Sequence, residues 1–399
     1  MNIARRIYCR IYQKVMYLAG GLIKYREPTL IKGANCIKEI SPIVKGKRVL
    51  LIATPSVIKH NLLDGLIKEF KRDGIEYFIY GDIVSNPTFT SIYKCAEFAK
   101  VNSTNAFVAI GGGSALDTAK AVICLLTSNK NDLSKFKGLL KVKKKYPLFI
   151  AVPTTAGSGS EVTVAAVVTN DKTGDKFAIS DPKLIPDYAV LDPVLLKSLP
   201  KKVIATTGMD ALTHAVESYI GHSNYKKTTI WAKTAVSLIA ENLLAFHNCP
   251  SNEQAALNMQ YAAYLAGEAF TKSYVGYVHA LAHSLGGKYN IPHGEANAIL
   301  LPYVLEAYGK KTDKRLKELD EIVKTCANDD ILCSSSHFIG WIKKLNDTMS
   351  VGNSLKDVIK INDLDELAKH ADKEANPLYP VPKELDKEEL KAIYLKAIK

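Results

Sequence analysis

One aspartate and four histidines carry the clearest chemical signal in this sequence. Asp210-Ala211-Leu212-Thr213-His214 sets a carboxylate and an imidazole four positions apart, and His279-Ala280-Leu281-Ala282-His283 repeats the interval with two imidazoles. Residues i and i+4 of a helix share a face, so each pair can aim at one point. Pro292-His293-Gly294 follows soon after, in what reads as a loop. One carboxylate with three imidazoles from this group is a mixed oxygen and nitrogen donor set. Without a soft thiolate it suits Fe(II) or Zn(II) and leaves room for a substrate oxygen. The plainer reading is a hydrogen-bonded core histidine, the usual fate of a lone His on an apolar helix. The paired spacing argues against it.

Two loops of small residues form a second signal. Gly111-Gly112-Gly113-Ser114-Ala115-Leu116-Asp117 follows an apolar run at 106–110 and opens a helical pattern through Lys120. Glycines such as Gly112 and Gly113 let backbone approach a pyrophosphate closely, and a helix start offers it free N–H groups. The loop is not the usual G-x-G-x-x-G, and a triple glycine can also be a packing turn. Pro153-Thr154-Thr155-Ala156-Gly157-Ser158-Gly159-Ser160-Glu161 follows the next apolar run, at 148–152. Alone it could be a flexible linker. Two such loops on neighbouring parallel strands would line one ligand crevice.

The elements that must hold these groups divide the chain in two. Strands are expected at 49–53, 77–80, 106–110 and 148–152, with helices at 62–73 and 90–101, and the β-like runs 162–169 and Tyr188–Leu191 complete or extend the sheet. Strands alternating with helices signal a parallel α/β sheet. Beyond Ser198 helical periodicity takes over, at 201–217, 226–244, 253–270 and 278–285, with a polar helical tail at 356–399 and no internal repeat. The expected fold is an α/β N-terminal dinucleotide-binding domain, Rossmann-like with a parallel sheet, followed by an all-α C-terminal metal-binding domain. The expected boundaries are a basic extension at 1–27, the α/β domain at 28–198 and the helical domain at 199–399.

Composition narrows the class. With 399 residues, 47% hydrophobic and 23% charged, the chain reads as globular throughout. Its net charge of +13 is lopsided: residues 1–48 hold eleven Lys or Arg against Glu27 and Glu39. No nucleic-acid-binding motif accompanies them, so nucleic acid is not an expected partner. Seven cysteines without a C-x-x-C pair fit a reducing compartment, which points to the cytoplasm. The cationic start followed by residues 15–23 only faintly resembles a secretion signal, because no A-x-A-like site follows. Ile3, Ile7, Ile11 and Val15 recur every fourth residue instead, predicting a basic amphipathic helix that packs on the body or lies on a surface, a membrane surface included.

From about Pro28 to its end the sequence resembles the iron-containing alcohol dehydrogenase family. The motifs are Asn86-Pro87-Thr88 and the stretches 111–120, 153–163, 207–214 and 279–302. The resemblance implies that Asp210, His214, His279 and His293 are the metal ligands and that His283 faces substrate and nicotinamide. It implies that Asn86, Gly113, Ser114, Asp117, Thr154, Thr155, Ser158 and Lys176 contact the dinucleotide. The implied activity is hydride transfer between NAD or NADP and a small alcohol or aldehyde, with Fe(II), or Zn(II), as Lewis acid and a homodimer or larger assembly as the working form.

One departure bears on the cofactor. Members that prefer NAD often end the first strand on an acidic residue, whereas Ile52-Ala53-Thr54-Pro55 offers Thr54, which leaves NADP open. Phe270, Tyr274 and Tyr277 are expected to wall the substrate pocket. A zinc-dependent polyol dehydrogenase is the nearest rival. A lyase of the dehydroquinate synthase type would want more cations than Lys272 and Lys288 near the ligands, and a non-enzymatic relative would be expected to have lost a ligand or loop.

Overall fold

The computed structural model describes residues 1–23, 25–128, 131–327, 332–356 and 358–399. Its contacts divide the chain into two compact units. One comprises Met1–Lys24, Pro200–Cys249 and Tyr261–Lys399, the other Tyr25–Leu199 and Pro250–Gln260.

Among the described residues the second unit is built on nine strands: β1 (Thr29–Lys32), β2 (Arg48–Ala53), β3 (Glu76–Tyr80), β4 (Ala106–Gly111), β5 (Gly138–Leu139), β6 (Phe149–Pro153), β7 (Ala165–Thr169), β8 (Lys176–Ser180) and β9 (Tyr188–Leu191). Six of them form a parallel sheet in the order β1-β9-β6-β4-β2-β3. Residues 49–53 of β2 and 106–110 of β4 are fully buried, as expected where helices cover both faces and apolar residues run on without alternation. Because β4 lies between β2 and β6, the segments at Thr54, Gly111 and Thr154 leave the same edge of the sheet side by side.

The four strands expected from the sequence form within one residue of their predicted ends, and Tyr188–Leu191 joins the sheet as β9. The run at 162–169 does not extend it. Residues Ala165–Thr169 pair antiparallel with β8, which pairs with β5 in a separate three-stranded sheet. Their alternating burial is that of a strand with only one face covered.

The first unit is helical. Its centre is the helix Lys201–Ile220, buried at nearly every position from Ile204 on, the polar Asp210, Thr213, His214 and Glu217 included. It packs on Lys226–Asn248 and on His293–Tyr308, while Tyr277–Tyr289 packs on Leu364–Ala375 and His293–Tyr308.

The basic segment forms the helix Ile3–Leu22, and it docks with its polar face inward. Gln13, nearly fully buried, donates to the Tyr379 carbonyl at 2.8 Å. Arg10 donates to the carbonyls of Val381 and Pro382 and pairs with Glu384, and Arg5 holds both oxygens of Asp372 at 2.8 Å. The isoleucine stripe expected from the sequence is left facing outward.

Candidate functional site

In the helical unit, the helix Lys201–Ile220 carries Asp210 and His214 one turn apart, and Tyr277–Tyr289 carries His279 and His283. His293 is not in a loop. It is the first residue of the helix His293–Tyr308, whose N-cap is Pro292. Gly294 makes its position possible, since a Cβ there would lie 2.3 Å from the Thr206 carbonyl oxygen of the helix beneath.

One donor atom from each of Asp210, His214, His279 and His293 lies within 4.8 Å of the other three. The His214 and His279 rings stack at 4.6 Å between centroids, and those of His279 and His293 lie 5.4 Å apart. The Asn297 amide donates to Asp210 Oδ1 at 2.7 Å and stands 3.3 Å from His279 Nε2 and 3.1 Å from His293 Nε2. Lone pairs from three separate positions therefore converge on one positively polarised N–H group, the environment that a cation with oxygen and nitrogen ligands requires. This donor set fits Fe(II) or Zn(II).

Protonation states agree with that fit. Burial, with the neighbouring His214, His293 and His283, holds His279 well below the usual imidazole range, so it is neutral and can ligate. Its Nδ1–H donates to Glu217 Oε2 at 2.6 Å, which turns Nε2 toward Asp210 and His293. Glu217 also accepts the N–H groups of Gly276 and Val278, each at 2.8 Å. Burial pushes its carboxyl up to about 7 against the pull of these donors. Gly276 is required here, because a Cβ would fall 2.6 Å from Glu217 Oε1.

His283 stacks on His293 at 5.1 Å with 29% of its side chain exposed. Its Nδ1 bonds Glu374 Oε1 at 2.7 Å, and the Tyr379 hydroxyl donates to the same oxygen at 2.8 Å. Among the expected pocket walls, Phe270 stacks on His214 at 4.2 Å and Tyr274 is half-buried. Tyr277 is not a wall. It is fully buried and its hydroxyl bonds Asn376 and the Leu385 carbonyl, because a buried phenol takes the nearest internal acceptors.

In the α/β unit the two small-residue loops do lie against each other. A Cβ on Gly112 would approach Thr155 to 3.4 Å, and one on Gly113 would approach Ser158 equally closely. Among the described residues no side chain caps the start of the helix Gly113–Leu126, and apart from the Ala115 N–H, which bonds the Gly112 carbonyl at 3.1 Å, its first turn is open to an anion. Ser114 and Thr54 are half-buried nearby in the fold, the Thr54 N–H bonding the Ile110 carbonyl at 3.2 Å, while Thr154 is largely buried. Asn86, in the left-handed region at φ 54°, accepts from Lys176 Nζ at 2.9 Å. Asp117 is engaged within the protein, accepting from Ser160 Oγ at 2.8 Å and from the Val167 N–H at 3.0 Å.

Sequence reasoning missed Glu217, Asn297, Glu374, Tyr379 and Lys120. Glu217 follows His214 by three positions and Asn297 follows His293 by four, so helical spacing held a signal for both. Lys120 is fully buried with Nζ bonded to the carbonyls of Ser160, Thr163 and Ala165 and the hydroxyls of Ser160 and Thr163, at 2.6–3.2 Å. Burial brings its pKa down to about 8.

Comparison with known proteins agrees with both halves. Residues 28–193 match the iron-containing alcohol dehydrogenase family, and residues 204–398 match the C-terminal domain of the Fe-containing alcohol dehydrogenase family. The chain is 36% identical over 380 residues to alcohol dehydrogenase 4 of Saccharomyces cerevisiae, covering 94% of this chain and 97% of that one. It is 34% identical over 372 residues to 1,3-propanediol dehydrogenase of Klebsiella pneumoniae, covering 92% and 96%. The solved structure of an alcohol dehydrogenase from Oenococcus oeni superposes with a TM-score of 0.88 at 31% identity, covering 94% of this chain and 99% of that one. No finding favours the lyase or polyol readings. The chain belongs to the iron-containing alcohol dehydrogenase family and is a metal-dependent, nicotinamide-linked alcohol dehydrogenase.

Proposed function

We propose that Asp210, His214, His279 and His293 hold Fe(II), with Zn(II) able to take the same donors, and that the protein interconverts a small, weakly polar alcohol and its aldehyde. The observation that carries this reading is the convergence of four donor atoms within 4.8 Å. Bound there, the ion supplies Lewis acidity toward the substrate oxygen. His283 moves the hydroxyl proton at Nε2, and Glu374, bonded to Nδ1, fixes the ring and its tautomer. Phe270 and Tyr274 supply apolar wall. The dinucleotide is received by Gly112, Gly113 and Ser114 at the helix start, by Thr154, Thr155 and Ser158 on the facing loop, and by Asn86, Asp117 and Lys176. A homodimer or larger assembly is the proposed form. A cytoplasmic location is supported by the buried thiols of Cys9, Cys36, Cys95 and Cys124.

Thr54 brings no carboxylate to the end of β2, so a 2′-phosphate meets no repulsion there and NADP is the proposed preference. A clearly higher kcat/KM with NADH than with NADPH would refute that choice. The decisive experiment for the site is anaerobic purification with metal analysis, followed by turnover of short aldehydes before and after chelation. Loss on chelation and recovery with Fe(II) is the expected result. A chelated, metal-free protein that keeps full turnover would overturn the assignment.

A further inference from the structure

The helix Ile3–Leu22 lies ahead of the family match, which begins at residue 28, and the catalytic reading assigns it nothing. A helix that packed only for stability would bury its apolar stripe. This one does the reverse. Gln13 and Cys9 are buried and Arg5 and Arg10 are tied to Asp372 and Glu384, whereas Ile7, Ile11, Val15 and Leu18 are 54–61% exposed and Ile3 is 77% exposed. An ordinary surface helix turns its apolar stripe toward the body, so an outward row of five apolar side chains marks a face built for contact.

Charge identifies the occupant. The helix carries Arg5, Arg6, Arg10 and Lys14 and no acidic residue. Arg6 and Lys14 are exposed and have no carboxylate partner among the described residues, and they open onto a groove of about 740 Å³ that Lys311 and Lys383 also line. Lys383 is partly neutralised by Glu389 at 3.3 Å, and Lys311 has no carboxylate partner among the described residues. A second copy of the same stripe would bring these cations against their own kind. An anionic surface with an apolar interior satisfies both halves at once, with side chains entering the acyl boundary and cations meeting headgroup phosphates. We propose that the outward face of Ile3–Leu22, with Arg6, Lys14 and Lys311 beside it, docks this protein on an anionic lipid bilayer as a peripheral, non-spanning contact. No helix among the described residues is long and apolar enough to cross a membrane.

Co-sedimentation of the full chain with vesicles tests this. Binding is expected to an equal mixture of phosphatidylcholine and phosphatidylglycerol, to weaken with added salt, and to be much lower on phosphatidylcholine alone. The double variant Ile7→Glu/Ile11→Glu should bind at least about tenfold more weakly, since each isoleucine leaves the acyl boundary. Lys14→Glu should lose about fivefold or more. Both variants should keep the parental melting temperature, because the altered side chains touch solvent. In a separate Ile11→Trp variant, indole emission should shift to the blue on anionic vesicles only. Failure to bind anionic vesicles would overturn the proposal. So would binding unchanged in the double variant, or an assembly that Ile7→Glu/Ile11→Glu breaks into smaller species without any lipid dependence, which would make the face an interface between copies.

Discussion

Glu217 accepts three hydrogen bonds with a carboxylate that has almost no contact with water, and one of the three decides which nitrogen of His279 faces the other proposed ligands. Glu217→Gln keeps the shape but turns one acceptor into a donor. Metal affinity should fall about 10–100-fold, read by competition with a chromogenic chelator, and unchanged affinity would deny Glu217 an orienting role. Glu374 behaves differently. Burial raises its carboxyl, yet the charge and hydrogen bond of His283 and the Tyr379 hydroxyl outweigh it and hold the group below its usual range. A carboxyl lowered in the folded state contributes stability above its unfolded pKa, and that contribution is lost as pH falls through the folded value. The melting-temperature gap between parent and Glu374→Gln should therefore be open near neutrality and close below about pH 4. A gap that does not change with pH would dissociate the pair from stability. Three of the proposed ligands, Asp210, His214 and His279, were legible because they fall in i, i+4 pairs on helices, and His293 because it follows the second pair closely. Glu374 and Tyr379 were not, since an isolated acid and a tyrosine some ninety positions on from His283 gain meaning only when folding brings them to it.

Secondary elements meet at the site through positions too small to announce themselves. Gly294 lets the helix His293–Tyr308 press its first turn onto the Lys201–Ile220 helix, and the added methyl of Gly294→Ala would collide with the Thr206 carbonyl. The helices must separate, at a cost of about 1–3 kcal/mol by the usual measure of overpacking. The melting point should drop and the affinity for metal should fall with it, because His293 rides on the displaced turn. An alanine variant with parental metal affinity would show that the turn yields without moving His293. Five of the six main-sheet strands were readable, the central ones because parallel strands buried on both faces appear as unbroken apolar runs, whereas β1, four residues at the sheet's edge that are only partly buried, was missed. β8 was invisible for the opposite reason: of Lys176-Phe177-Ala178-Ile179-Ser180 only Phe177 and Ile179 are buried, and so short a segment looks like loop until β7 pairs with it. His293 was placed in a loop because Pro292 and Gly294 are turn residues by type, whereas here one caps the helix and the other fits its first turn.

For the molecule as a whole, a metal that binds only the folded helical unit adds its binding energy to stability. Saturation at a hundred times the dissociation constant is worth about 2.7 kcal/mol, enough for a shift of several degrees in calorimetry. Chelation should lower the melting temperature of that unit by the same amount, and an identical thermogram with and without metal would mean that the ion does not engage the native state.

The N-terminal helix has a further consequence, in the order of biosynthesis. Its anchors lie 366, 367 and 371 positions away, at Tyr379, Asp372 and Val381. At about 5–20 residues per second the ribosome needs tens of seconds to supply them. Through most of that interval the helix-forming segment has emerged without these anchors, and the sheet-bearing unit, whose last residue is Gln260, is made before they arrive. Whatever this segment meets first, it meets as a nascent chain, so its location can be chosen before the enzyme it belongs to has folded.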